Sequence, residues 1–317
     1  MDEFRGDKLK HLLYLKDLDQ ETITQILDIA QNFLEHNNNP KGYEDILQNR
    51  TLANLFFEPS TRTRSTFEIA SKKLGADVIN IDEEHSSRTK GETLIDTIKT
   101  LEAMGINYFV IRNKKEGIFD IIKNTIEDST HLISAGESHI SHPTQGLLDL
   151  VTIRSNKKEF HNIKVSIVGD ISHSRVTRSL YEGLKIMNTG KIMLVSPKEY
   201  QPDMTIFKGA EYTDDLNKGL KNADVVVTLR VQKERIKDKE LLLETENYYQ
   251  EYGLTTDRIK NCKKDVIVMH PGPMNRGVEI QDEVADGANS VITEQVTNGI
   301  AARMAILSIL EESTDPL

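Results

Sequence analysis

The chain has 317 residues, 40 of them basic and 50 acidic, for a net charge of −10, and 38% are hydrophobic. That balance suits a soluble protein with a sizeable core and argues against a nucleic-acid binder or an anionic membrane surface, both of which want a broad basic face. It leaves room for a small anion held in a local basic pocket. The length predicts two domains of roughly 150 residues each.

In chain order, Asp19 is placed to cap a first helix over "QETITQILDIAQNFL". "TLANLFF" (51–57) reads as a strand, followed by a helix with Phe67, Ala70 and Leu74 on one face. "DVINI" (77–81) leads through a polar loop to a helix beginning near Glu92. "YFVI" (108–111) precedes a helix around 117–127, and "THLISA" (130–135) is the fourth apolar run. "HPTQGLLDLVTIRSN" reads as a connecting helix with Leu147, Leu148 and Val151 apolar. The second half repeats the rhythm. "KVSIVG" (164–169) comes before a helix with Val176, Leu180 and Leu184. "KIMLVS" (191–196), "ADVVVTL" (223–229) and "DVIVMH" (265–270) follow. A last helix carries Val296, Ile300, Met304 and Leu307 at helical spacing. Short β-branched runs alternating with amphipathic helices predict an α/β fold: two domains, each a parallel sheet flanked by helices.

Ligands of open parallel sheets bind beyond the carboxyl ends of the strands. After the first run come Glu58, Pro59, Ser60, Thr61, Arg62, Thr63 and Arg64. After the second come Ser86 and Lys90, after the third Arg112, and after the fourth His142 and Gln145. The second half supplies Asp170 to Arg175, then Ser196-Pro197, then Arg230-Val231-Gln232, then His270-Pro271-Gly272-Pro273. Should the two edges face one another, Arg62, Lys90, Arg112, Arg175 and Arg230 line one cleft. Such a cluster repels itself unless anions offset it.

Arg62 and Arg64 sit in the first turn of a helix, where the backbone field disfavours cations. Hydroxyls from Ser60, Thr61 and Thr63, the helix-start N–H groups and the Arg62 fork together suit a phosphate. Arg64 is free to point outward and pair locally. The plainer reading of the stretch is a Ser-capped helix with solvated arginines. His142 suits a carbonyl oxygen but equally suits a satisfied structural role. The loop at 84–92 reads as a lid carrying Lys90 or as a solvated loop. "HPGPMN" reads as a turn whose carbonyls face a ligand or as a turn alone.

No GxGxxG, GxxxxGK[ST] or GxSxG pattern is present. His139 and His142 have no zinc-type surroundings, so no metal and no other cofactor is expected. A single cysteine, Cys262, rules out an intrachain disulfide and fits a reducing compartment. The Asn49-Arg50-Thr51 triplet is read as chance. "MDEFRGDKLK" lacks the apolar core of a signal peptide, and no run approaches the ~20 apolar residues of a membrane span. A cytoplasmic location is therefore expected.

"FFEPSTRTRSTFE", "SSRTKGETLIDT", "HPTQGLLDL", "GDISHSRVTRS", "LRVQKER" and "MHPGPMNRGVE", in this order over about 50–280, resemble the catalytic chains of the aspartate branch of the transcarbamoylase family. STRTR marks the wider family, and HPTQ, RVQKER and HPGPMNRG mark the aspartate branch. An ornithine carbamoyltransferase would show HPCQ and an HCLP-type segment.

The resemblance implies transfer of a carbamoyl group from carbamoyl phosphate to the amine of L-aspartate, an early step toward pyrimidines. It implies a carbamoyl-phosphate-binding domain over 1–150, completed by a C-terminal helix at 290–317, and an aspartate-binding domain over 151–289. Ser60, Thr61, Arg62 and Thr63 would hold phosphate, and Arg112 would bridge phosphate and carbonyl oxygen. His142 would sit on the carbonyl oxygen, with Gln145 and the Pro271 carbonyl region at the amide nitrogen. Arg175, Arg230 and Gln232 would hold the aspartate carboxylates, with Gly272 and Lys90 beside them. Ser86 and Lys90 would come from the neighbouring subunit of a homotrimer, with or without regulatory chains. Glu58 would pair with Arg175 and Arg235 on domain closure. Val176 and Gly272 depart from the residues some members carry there. A transcarbamoylase for another amine, such as ornithine, and a non-catalytic anion-binding protein on the same fold are the competing readings.

Overall fold

The computed structural model describes residues 9–36, 42–82, 91–231 and 248–313. The chain divides into two compact units, one running to Leu147 and resuming at Asn298, the other spanning Leu148–Thr297. Both divisions fall inside helices, α5 (Pro143–Lys157) and α11 (Ile292–Glu312).

The first unit holds β1 (Thr51–Phe56), β2 (Asp77–Asp82), β3 (Tyr108–Asn113) and β4 (His131–Glu137), all parallel, in the order β2-β1-β3-β4. β1 is buried from Leu52 to Phe56 and β4 along its length, as strands covered on both faces must be. On one face, Ala53, Leu55, Phe109, Ile111 and Leu132 pack with Leu94, Ile98 and Leu101 of α3 (Leu94–Ala103) and with Ile118, Phe119 and Ile122 of α4 (Ile118–Lys123). The helix expected over 117–127 thus stops four residues early. Beyond it the Thr125 N–H turns back to the Ile122 carbonyl. α1 (Gln20–Glu35) starts at Asp19, whose carboxylate accepts the Thr22 N–H at 2.8 Å and is held below the usual carboxylate range by it. In α2 (Thr61–Lys73), Phe67 and Ala70 are buried, as is Leu74 at its end. The end of α11 is tied to the amino-terminal side of this sheet: Arg50 donates to Glu311 at 2.8 Å through Nε, and the Tyr108 hydroxyl donates to the same carboxylate.

The second unit holds β5 (Lys164–Val168), β6 (Lys191–Val195), β7 (Glu211–Thr213), β8 (Val225–Thr228) and β9 (Ile267–Met269), parallel in the order β7-β6-β5-β8-β9. Its core joins Val168, Met193, Val195, Val226 and Val268 to Leu216 and Leu220 of α7 (Leu216–Leu220), and to Tyr248 and Tyr252 of α8 (Tyr248–Tyr252). α9 (Thr256–Ile259) and α10 (Asp282–Ala285) complete it. The buried stripe of α6 (Arg175–Ile186) runs through Thr177, Leu180, Tyr181 and Leu184 and leaves Val176 half-buried. In α11, Val296 is 41% exposed and Ile300 half-buried, because polar Gln295 and Asn298 take the buried positions.

Each sheet has a topological switch point, where successive crossovers leave in opposite directions along the sheet. In the first unit it lies between β1 and β3, and in the second between β5 and β8.

Two histidines lie near the amino-terminal end of β4. His11 Nδ1 accepts the Leu132 N–H at 3.2 Å, so the neutral ring is required there. Burial first, then the charge of Lys10, lowers its pKa from 6.5 to about 4. Burial also lowers that of His131, whose ring stacks on Tyr108 at 4.8 Å. The unfolded chain takes up these protons near pH 6.5 and the folded chain only lower down, so stability falls as pH drops from 6.5 toward 4. Thermal unfolding followed over that range should show a shallower pH slope for His11→Asn than for the wild type. An unchanged slope would remove His11 from the explanation.

Candidate active site

The switch point of the first unit carries the residues singled out for phosphate. Phe56 sits level with Arg112, and the Phe57 N–H donates to the Arg112 carbonyl at 2.9 Å, locking the loop after β1 to the end of β3. Ser60 takes the N-cap position of α2, at φ −160° and ψ 80°, but its side chain makes no capping hydrogen bond, and no acid stands in the first turn. An ordinary Ser-capped helix is therefore not what forms. The first N–H groups of α2 keep their partial positive charge, with the Ser60 hydroxyl beside them.

Thr63 is buried, while Thr61 and Arg62 reach solvent. Although exposed at its surface, Arg62 has enough protein around it that desolvation lowers its pKa. A guanidinium still keeps its charge at neutral pH. Among the described residues no carboxylate pairs with Arg62. Arg64 behaves differently. Its field falls on Glu68, one turn on, and adds to the larger hydrogen bonds from Lys72 and Asn80 that depress the Glu68 pKa. The two arginines of one turn thus stand in different electrostatic surroundings.

Arg112 stands where the β3–β4 register shifts between Ile111 and Asn113, an irregularity that re-aims side chains at a sheet edge. Its Nε lies 3.2 Å from a Glu58 carboxylate oxygen, and Nη1 lies 3.4 Å from the Ala135 carbonyl. Within its own unit Glu58 lies against Arg112; Arg235, one of the partners expected for it on domain closure, lies outside the described residues. After β4 the chain makes a tight turn: the Glu137 N–H donates to the Ser141 carbonyl at 2.8 Å, and Ser138, at φ 44°, donates to the Asn113 carbonyl at 2.9 Å. Glu137 itself is fully buried and accepts the Tyr14 hydroxyl at 2.7 Å. The turn delivers buried His142 and, after Pro143 at the first position of α5, buried Gln145. Thr144 Oγ1 lies 3.5 Å from His142 Nδ1. Ser60, Thr61, Arg62, Thr63, Arg112, His142 and Gln145 therefore share the carboxyl edge of one sheet.

The switch point of the second unit carries two more arginines. Gly169, at φ +135°, ends β5, and a Cβ there would lie 2.8 Å from the Leu229 carbonyl, so only glycine lets the two strand ends approach. Leu229 precedes Arg230, which is half-buried. Asp170, fully buried, accepts the His173 N–H at 3.3 Å and meets its ring Nδ1 at 2.8 Å. Ser174 caps α6 by accepting the Thr177 N–H at 3.1 Å, and Arg175, buried, is its first residue. Pro271 and Gly272 follow β9. Ser86, Lys90, Gln232 and Arg235 lie outside the described residues. Among those described, no group of His, Cys, Asp or Glu is arranged to hold a metal ion, and no helix is long and apolar enough to cross a membrane.

Residues 10–155 match the carbamoyl-P binding domain of the aspartate/ornithine carbamoyltransferases, and residues 161–310 match their Asp/Orn binding domain. The chain belongs to the aspartate/ornithine carbamoyltransferase family. Among solved carbamoyltransferases, the catalytic subunit of M. jannaschii aspartate transcarbamoylase is 33% identical, with a TM-score of 0.85 over 96% of this chain and 98% of that one. Aspartate transcarbamoylase of Trypanosoma cruzi, in complex with carbamoyl aspartate and phosphate, is 27% identical, with a TM-score of 0.87 over 98% of both chains. Ornithine carbamoyltransferase of Pyrococcus furiosus is also 27% identical, with a TM-score of 0.83 over 96% of this chain and 97% of that one. Both branches of the family share the fold, so the choice of amine rests on particular residues.

Tyr14, Glu137 and Glu279 have structural partners at these loops that the sequence pattern did not announce. The only signal for Glu137 was a carboxylate inside an otherwise apolar strand end, five residues before His142.

Proposed function

We propose that this carbamoyltransferase moves the carbamoyl group of carbamoyl phosphate to the amine of L-aspartate, giving N-carbamoyl-L-aspartate and phosphate for pyrimidine synthesis. The observation that carries the phosphate half is Arg62. It has no carboxylate partner among the described residues and stands beside the uncapped start of α2, on the sheet edge that also carries Arg112. A phosphate dianion supplies the charge that this group of donors lacks. Aspartate is favoured over ornithine because Arg175 and Arg230 both stand at the switch point of the second unit, where two cations suit a dicarboxylate and repel an ammonium side chain. HPTQ and RVQKER, in place of HPCQ, point the same way.

In this mechanism Ser60, Thr61, Arg62 and Thr63 hold the phosphate. Arg112 and His142 take the carbonyl oxygen, where negative charge grows as the amine attacks. Gln145 and the Pro271 carbonyl hold the amide nitrogen. Arg175, Arg230 and Gln232 bind the two carboxylates, which orients the amine, and orientation supplies much of the rate. The new C–N bond forms as the C–O bond to phosphate breaks, and a phosphate oxygen accepts the amine proton. Ser86 and Lys90 are supplied by the neighbouring chain of a homotrimer, and the protein works in the cytoplasm.

Product analysis with carbamoyl phosphate and a panel of amino acids should show carbamoylation of aspartate and none of ornithine. Turnover of ornithine would move the chain to the other branch, and binding without turnover would make it an anion-binding protein. Mixing Lys90→Ala with Arg62→Ala chains should restore part of the activity that each lacks, because a mixed oligomer rebuilds an intact site. No recovery after verified subunit exchange would contradict shared sites.

A further inference from the structure

The loop after β9 is held by a buried pair that the mechanism above leaves unused. His270 and Glu279 are both buried, and their side chains are wholly shielded from solvent. The Gly272 N–H donates to His270 Nδ1 at 2.7 Å. A backbone N–H can only donate, so Nδ1 carries no proton and the ring's hydrogen is on Nε2. Nε2 lies 3.1 Å from Glu279 Oε1 and donates to it. The same carboxylate oxygen accepts the Asn275 N–H at 2.5 Å. The His270 main chain is fixed in turn: its N–H donates to Gln295 Oε1 at 3.0 Å, and Gln295 Nε2 donates to Asp149 Oδ1 at 2.7 Å. One carboxylate and one imidazole therefore close the loop from residue 270 to residue 275.

This arrangement has a chemical result. Pro271 and Pro273 have no N–H, and the single N–H between them, that of Gly272, is turned onto the imidazole. The Pro-Gly-Pro segment can offer a ligand carbonyl oxygens only. Gly272, at φ 64°, supplies the left-handed backbone of this turn.

We infer that His270, held in one tautomer by Glu279, is a positioning residue that makes Pro271–Pro273 an acceptor-only strip for an N–H-bearing group of the substrate, the carbamoyl NH2. This rests on the reading above that Pro271 meets the carbamoyl amide. Glu279 Oε2 has no hydrogen-bond partner among the described residues. A buried carboxylate left half-satisfied is poor value for stability, which fits a pair kept for the shape of the loop.

The test compares carbamoyl phosphate with acetyl phosphate, in which a methyl group replaces the NH2, and uses inorganic phosphate as a control. Affinities are measured by calorimetry on the full chain, with folding checked by circular dichroism. The wild type should prefer carbamoyl to acetyl phosphate by about ten-fold, the worth of a typical buried hydrogen bond. His270→Gln keeps a donor for Glu279 but loses the acceptor for Gly272, and should cut that preference to about two-fold or less with phosphate affinity unchanged. His270→Asn, whose Oδ1 can take the place of Nδ1, should retain most of it. A wild type without the preference would overturn the placement of the loop at the amide. A wild-type preference kept in His270→Gln would overturn the positioning role alone. If His270→Gln does not fold, Glu279→Met decides, because it removes the oxygen that accepts from both His270 and Asn275: a preference reduced at least three-fold in the folded variant supports the role, and an unchanged one contradicts it.

Discussion

A guanidinium set beside an uncapped helix start is the arrangement on which the rest depends. Arg62 sits where the helix field is already positive, has no carboxylate partner among the described residues, and is partly desolvated. Each of these disfavours the Arg62 charge, and one dianion would offset all three. Arg64 differs in that its field reaches Glu68 on the same helix, a small addition to the hydrogen bonds from Lys72 and Asn80.

What surrounds Arg62 fixes it in place. The ladder bond from Phe57 to Arg112 joins the two strand ends of the switch point, and the register shift at Arg112 turns that side chain onto Glu58. A buried Glu137, bonded to Tyr14, closes the turn that presents His142. The second unit follows the same logic with different parts: a glycine that lets two strand ends touch, a buried Asp170 that pins the loop before Arg175, and the His270–Glu279 pair after β9. In both units, buried polar side chains hold backbone, and the backbone holds the groups proposed to meet anions. Such sites need preorganisation more than they need stability.

Much of this was legible in the sequence. β-branched runs gave eight of the strands, and the rule that ligands bind at carboxyl ends picked out Arg62, Arg112, Arg175 and Arg230 before any coordinates. β7 escaped because it is three residues long and begins with exposed Glu211. Val296 shares the helical spacing of Met304 and Leu307 yet is exposed, because polar Gln295 and Asn298 turn inward beside it. Glu279 closes the MHPGPMNRGVE motif, but its pairing with His270 was not legible, since a carboxylate nine residues beyond its histidine follows neither a helix nor a strand period. Pairing of Glu58 with Arg112 likewise joins a loop to a strand end that only the sheet order brings together. Side-chain partners across the sheet are set by topology, and linear spacing does not carry them.

The central claim is that Arg62, and not its neighbour Arg64, is the residue whose charge a substrate phosphate satisfies. Calorimetric binding of carbamoyl phosphate to folded Arg62→Ala and Arg64→Ala proteins addresses it directly. Arg62→Ala should weaken binding by about a hundred-fold or more, the scale of a lost charge-assisted contact, while Arg64→Ala should stay within about three-fold of the wild type. Equal losses in the two variants, or near-normal binding in Arg62→Ala, would contradict it.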